Sequence, residues 1–389
     1  LGAARSRSGP SLLDRWVVAR ARRSVRAARY WYSVGDLDEA ARAGRRALAL
    51  ARSRASTTGL MLPAQIALTL ARVEQDRDDY VAGHGLLTYA LGVLEPASGS
   101  TAGDRLRVWA LIGLGESHRR AARYPQAVET LDRAIALADS GTRPASGPVS
   151  GPALSSAPGT ALSAALTERA ITAKELGDYD RAADLYARVA QLQRGAGIDR
   201  ADAATLEHNL SGLEYARGNY PQAEFRARRA VDRRRGTPGA TEVEIAADLA
   251  VLAASVAAQR RYTEAREMFE QALFTCRAAR PPRRYEIAVH LHGLADLEHS
   301  AGHAEEAERR YGQALAIKEQ LLGPAHPEVG LVLGNLGALL QEQGRPGEAA
   351  DCYRRAREIA ERTFGREHPR FIVLNQKLSR TSRDPQTSP

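Results

Sequence analysis

One short turn, closed three residues later by a small residue, recurs along the chain at a nearly fixed interval. It runs from Gly35-Asp36-Leu37 to Ala40, from Asp79-Tyr80 to Gly83, from Arg123-Tyr124 to Ala127 and from Gly177-Asp178-Tyr179 to Ala182. Four more copies follow: Gly218-Asn219-Tyr220 to Ala223, Arg260 and Tyr262 to Ala265, Gly302-His303-Ala304 to Ala307, and Gly344-Arg345-Pro346 to Ala349. In the column Leu37, Tyr80, Tyr124, Tyr179, Tyr220, Tyr262, Ala304 and Pro346 the steps are 43, 44, 55, 41, 42, 42 and 42 residues. A period of this size belongs to a stack of supersecondary units, each burying its apolar face only against its neighbours.

Two columns of small residues keep step with the turn. Nine positions before it stand Ala28, Ala71, Gly115, Ala170, Ser211, Ala253, Ala295 and Gly337; ten positions after it stand Ala47, Ala90, Ala134, Val189, Ala230, Ala272, Ala314 and Ala356. Antiparallel helices approach closely only where their contact line carries little side-chain volume. Each unit therefore reads as helix A, turn, helix B. With only 5% aromatic residues and few β-branched runs, the composition favours the same all-helical answer. Asp36, Asp79, Asp178 and Asn219 occupy N-cap positions, with Glu39 and Gln222 at capping-box spacing, and Pro125 and Pro221 fall in the first turn of helix B, where a missing N–H costs little.

These columns, with Tyr186, Phe269, Tyr311 and Tyr353, resemble the tetratricopeptide repeat. The 42-residue step and the matching segments Leu322 to Glu328 and Phe364 to Pro369 resemble the longer variant of kinesin light chains and of many bacterial proteins. The resemblance covers about residues 15 to 378 and implies a right-handed alpha-alpha superhelix of eight repeats. The expected organisation is a flexible segment at 1–14, repeats one to three at 15–139, a Gly/Pro/Ser-rich insertion at 140–160, repeats four to eight with a capping helix at 161–380, and a disordered tail at 381–389. Beginning at Leu1 rather than Met, the chain reads as a fragment or processed product.

In such a superhelix the A helices line an inner groove, the expected site for a guest. Its amino-terminal part would offer Arg22, Arg26, Arg29, Arg72, Trp109, Arg119 and Arg120, whereas the middle offers Ala164, Ala247, Ala250, Ala254 and Ala257. An acidic or carboxylate-bearing segment is expected at the first and apolar side chains at the second. The resemblance also implies a backbone-binding Asn on helix A; its column holds Asn209 and Asn335 in two units, with other residues in the remaining six.

The expected function is therefore a scaffold that binds a peptide or protein, without cofactor or metal. The same architecture also serves as the sensor or regulatory arm of a larger signalling ATPase or transcriptional regulator, and the sequence leaves that reading open. Nucleic acid is not the expected partner: the formal charge of +9 comes with no base-reading module, although Arg233-Arg234-Arg235 is a basic run. No phosphate-binding loop, dinucleotide fingerprint or nucleophile elbow is present, so no catalytic residues are expected. Histidines cluster at His290, His292, His299 and His303; the last two have chelating spacing, but Ala301-Gly302 ends the helix between them, and they read as surface histidines near a turn. Cys276 and Cys352 read as buried thiols, and no apolar run or signal layout points away from the cytoplasm.

Overall fold

The computed structural model describes residues 11–53, 61–97, 99–140, 158–196 and 200–381. Among these are 17 α-helices and no strand. They pair as α1 (Leu12–Ser33) with α2 (Leu37–Ser53), α3 (Met61–Asp76) with α4 (Tyr80–Leu94), α5 (Thr101–Arg120) with α6 (Tyr124–Ser140), and α7 (Pro158–Glu175) with α8 (Tyr179–Ala196). Then come α9 (Arg200–Ala216) with α10 (Tyr220–Arg235), α11 (Glu242–Ala257) with α12 (Tyr262–Ala278), α13 (Arg284–Ser300) with α14 (Ala304–Leu322), and α15 (Pro327–Glu342) with α16 (Pro346–Phe364). Helix α17 (Pro369–Thr381) follows. Every B helix starts on the column residue of the recurring turn. The fold is an all-α helical-repeat solenoid.

The turns share one backbone solution. Two residues before each B helix stands a residue in the left-handed region: Gly35, Gly177, Gly218, Gly302 and Gly344, but also Asp78 (φ 62°), Ala122 (φ 56°) and Arg260 (φ 64°). The next amide reaches back five residues, as from Asp36 to Trp31, Asn219 to Glu214 and His303 to Glu298, which satisfies the last carbonyls of helix A. Asp36, Asp79 and Asp178 accept the expected N-cap bonds from Glu39, Ala82 and Arg181. Asn219 does not; its amide donates to Glu214 instead, at 3.0 Å. Nor does Glu39 complete a capping box, because its carboxylate takes Arg42 at 2.7 Å. The full boxes are Ser11 with Asp14 and Thr241 with Glu244.

Every residue of the two small columns is buried. A Cβ on Gly115 would lie 2.4 Å from Leu131, and one on Gly337 would lie 2.9 Å from Tyr353, so these contacts exist only because the side chain is absent. Ser211 is the polar member of its column, and its hydroxyl donates to the Ala223 carbonyl at 2.7 Å, which removes the cost of burying it.

The chain divides into two compact units, Leu1–Ser117 with Ala127–Ala165, and His118–Gln126 with Leu166–Pro389. The first is centred on Ala40, Ile66, Leu70, Leu87 and Leu106. In the second, successive A helices touch directly, α9 on α11, α11 on α13 and α13 on α15. Its short segment 118–126 meets the last repeats: the Arg120 carbonyl accepts from His326 Nε2 at 2.8 Å, and Tyr124 stacks on Phe364 with ring centres 5.5 Å apart.

Helix α1 begins at Leu12, inside the 1–14 segment read from sequence as flexible, because Ser11 and Asp14 cap it. The expected insertion at 140–160 falls largely on 141–157 and the expected tail on 382–389, both outside the described residues. Among the described residues no helix is long and apolar enough to cross a membrane.

Candidate functional site

Helical spacing places one set of side chains from α1, α3 and α5 around a single cavity of about 390 Å³ in the first unit. Arg29 and Tyr32 come from α1, Leu68, Thr69 and Arg72 from α3, and Trp109 and Glu116 from α5. Gly113 widens it, since a Cβ there would stand 2.7 Å from Leu87.

The lining combines cations with an aromatic ring. Asp76 holds the Arg72 guanidinium more firmly charged than usual against the opposing effect of burial, at 3.5 Å, and also accepts the Tyr32 hydroxyl at 2.5 Å. Burial above all pushes the Tyr32 hydroxyl upward, so it stays a donor. Arg72 nonetheless keeps 62% of its side-chain surface. Nε of Arg29 is buried without a hydrogen-bond partner.

Of the eight groove residues expected from sequence, this cavity gathers Arg29, Arg72 and Trp109. Arg22 and Arg26 are exposed on α1 outside its lining, and neither forms an ion pair among the described residues. Arg119 corrects the expectation of an open groove arginine: it is engaged by Glu168 at 3.3 Å and Glu175 at 2.8 Å, with 13% of its side chain exposed. Asn209 is buried, and its side chain makes no hydrogen bond among the described residues. Asn335 lines a different cavity, and its amide donates to Asp296 at 2.8 Å and to His292 at 3.1 Å. Sequence reasoning missed Tyr32 and Glu116, although each lies at helical spacing from a residue it found, Tyr32 three after Arg29 and Glu116 seven after Trp109.

The model of the tetratricopeptide repeat matches residues 244–320, 286–362 and 328–373, starts 42 residues apart, and a second model of the same description matches 110–145. Residues 110–145 and 244–373 carry tetratricopeptide repeats. Among solved structures, a Rap protein complexed with Competence and Sporulation Factor is similar with a TM-score of 0.57, at 12% identity over 82% of this chain and 87% of that one. NprR in complex with its cognate peptide NprX gives 0.56, at 13% identity over 82% of each chain. A putative kinesin light chain from Podosopora anserina with nearly identical repeats is 21% identical over 51% of this chain and 94% of that one, with a TM-score of 0.38. A search of curated protein sequences found no match.

In the second unit the helices tie up their charges. Asp248, 1% exposed, accepts Arg234 Nε at 3.0 Å and His208 Nδ1 at 2.7 Å, and Glu207 takes Arg226 at 3.1 Å and Arg229 at 2.9 Å. The run Arg233-Arg234-Arg235 is therefore no free basic patch, since Arg233 also approaches Glu207 at 3.8 Å. Lys318 and Tyr285 donate to Glu328 at 2.7 and 2.8 Å; burial pushes that carboxyl up, but the Lys318 ammonium and its neighbours outweigh it and hold the carboxyl down at about 2.

Two of the four clustered histidines, His290 and His292, are buried. His290 is 2% exposed, with Nε2 3.4 Å from Cys276 Sγ, and burial pushes the imidazole down to about 4 and the thiol up to about 12. His292 is buried against Tyr311 and Asn335, because its position on α13 faces the neighbouring repeat. His299 and His303 bond to Glu342 and Glu298 instead of converging. Among the described residues no cluster of three or more potential metal ligands is found.

Proposed function

We propose that this chain is a protein-interaction module whose first three repeats hold an acidic or carboxylate-bearing segment of a partner against α1, α3 and α5. The observation that carries the reading is the cavity flanked by Arg29, Arg72 and Trp109, in which the Arg29 side chain forms no hydrogen bond or ion pair among the described residues. A guanidinium with unused N–H donors is best satisfied by a carboxylate, which can make charge-assisted and bidentate bonds to it. Arg22 and Arg26, exposed and unpaired, extend the positive surface along α1 and would draw an acidic chain toward it. Trp109 supplies area for an apolar residue next to the charged one. Support of a general kind comes from two solved proteins of this fold, one complexed with Competence and Sporulation Factor and one with the peptide NprX. A photo-crosslinking amino acid at Trp109, followed by mass spectrometry, tests the reading. The expected capture is a segment rich in Asp or Glu, lost on Arg29→Gln with Arg72→Gln. Capture of a segment without carboxylates, or capture indifferent to both substitutions, overturns it.

A further inference from the structure

Two loops of the second unit repeat one pattern 42 residues apart, Gly323 to His326-Pro327 and Gly365 to His368-Pro369. Each histidine caps the helix that follows it: Nδ1 of His326 accepts the Glu328 amide at 3.2 Å, and Nδ1 of His368 accepts the Arg370 amide at 3.2 Å. The other edge of each ring is turned to the end of an earlier helix. His326 Nε2 donates to the carbonyl of Arg120, the last residue of α5, at 2.8 Å. Nε2 of His368 is buried, faces the Leu176 carbonyl just past α7, and stands 3.9 Å from where a Cβ on Gly177 would lie.

Rings and charges surround both contacts. Phe364 stacks with Tyr124 at 5.5 Å and with His368 at 4.4 Å between ring centres, and Arg120 lies over the Tyr285 ring at 5.6 Å. The charged groups around His326 are Glu328 of α15, Lys318 of α14 and Glu175 of α7. Arg370 of α17 faces His368, and Glu175, Arg119 and Glu328 also lie near Tyr124. Burial of the rings outweighs the carboxylates and helix-end carbonyls that would favour a cation, and Lys318 and Arg370 add to it, so both imidazoles are held below their ordinary 6.5. What the two contacts contribute is therefore complete above pH 6.5 and is lost as pH falls below it.

An imidazole that accepts at Nδ1 and presents Nε2–H to a carbonyl carries one proton. A second would set an N–H against the amide of Glu328 or Arg370. We infer that His326 and His368 form a pH-released clasp, which holds the helix ends at Arg120 and Leu176 against the loops before α15 and α17 and lets go when the rings take up a second proton. Proton uptake removes the amide cap of the following helix and adds charge to a buried contact, so both losses act in the same direction. The spacing of one repeat lets the two rings grip successive turns, those before α6 and α8.

The test places a donor and an acceptor fluorophore on Arg123→Cys and Glu367→Cys, exposed positions on the two sides of the contact, in the whole chain carrying Cys352→Ser. Cys276 is kept because it is buried. Energy transfer should fall as pH is lowered from about 7.5 to about 4.5 while the helical circular dichroism stays unchanged. Nitrogen-15 histidine spectra of the parent chain should show both rings as the Nε2–H tautomer at neutral pH, titrating with the midpoint of the transfer change. His326→Gln combined with His368→Gln, which cannot titrate, should give transfer that does not vary with pH. Constant transfer with the histidines intact, a fall that follows loss of helix, an Nδ1–H tautomer, or a double variant with the same pH response each overturns the inference, and the first three need no substituted histidine.

Discussion

Helix α1 of the first unit and helix α10 of the second carry six arginines each. In α1, Arg15, Arg20, Arg22, Arg23, Arg26 and Arg29 form no ion pair among the described residues. In α10, Arg226, Arg228, Arg229, Arg233 and Arg234 all do, with Glu207, Glu224, Glu264 and Asp248 as acceptors, and only Arg235 is left over. Helices equal in basic residues thus differ in the charge they present to a partner. The acceptors of α10 come mostly from neighbouring helices, whereas the sole carboxylate of α1, Asp14, is buried and caps its own helix. A partner of the first unit would meet charge that is not already satisfied; the same partner at α10 would have to displace an internal carboxylate first.

Removing an acceptor separates the two cases most sharply. Asp248→Ala strips the buried partner of Arg234 and should cost about 3–5 kcal/mol in a urea titration, since an uncompensated buried charge is left behind. A loss below 1 kcal/mol would mean that water already reaches the pair and that the contrast between the units is shallower than the burial suggests.

Acid should probe the second unit in its own way. Burial lowers His290 to about 4 from its ordinary 6.5, so the folded state binds fewer protons than the unfolded chain between those values. Stability from this site is complete above pH 6.5 and falls as pH drops toward 4. Thermal melts across that window should show the decline in the parent and a flatter profile in His290→Phe; identical slopes would remove the buried imidazole from the account.

The small columns, by contrast, should not distinguish the units. Ala47→Leu in the first and Ala272→Leu in the second each overpack a contact between helices and should cost about 1–3 kcal/mol, read as a fall in melting temperature. A smaller effect is expected at the turns, where Arg260 holds a left-handed conformation that five equivalent positions give to glycine. Arg260→Gly should stabilise by about 0.5–1 kcal/mol, the relief of backbone strain less the added freedom of the unfolded chain. Least of all should change with Arg22→Ala and Arg26→Ala, which are exposed and form no ion pair among the described residues: stability should stay within about 0.5 kcal/mol. A clear loss there would reveal a structural partner for α1 and undo the claim that its charge is free.

Much of the architecture was legible from residues alone because it depends on local, repeated chemistry. Each B helix begins on the column residue, and each small column is buried, since steric room between two helices is set by the side chains on their contact line. Ala122 and Arg260 show where this legibility stopped. Their turns adopt the glycine conformation without glycine, because the hydrogen bonds closing helix A impose it.

The candidate site was legible only in part, for a different reason. Arg29, Arg72 and Trp109 share a cavity as their helical positions implied, whereas Arg119, equally well placed on paper, is held by Glu168 and Glu175, 49 and 56 residues further along the chain. The repeat length, the helix pairs and their small contact lines were thus set by the sequence by itself. Which charges face solvent, which histidines are dry and which helix ends two histidine loops meet were decided only by the tertiary structure, because ion pairing and desolvation depend on distances between repeats that no single repeat encodes.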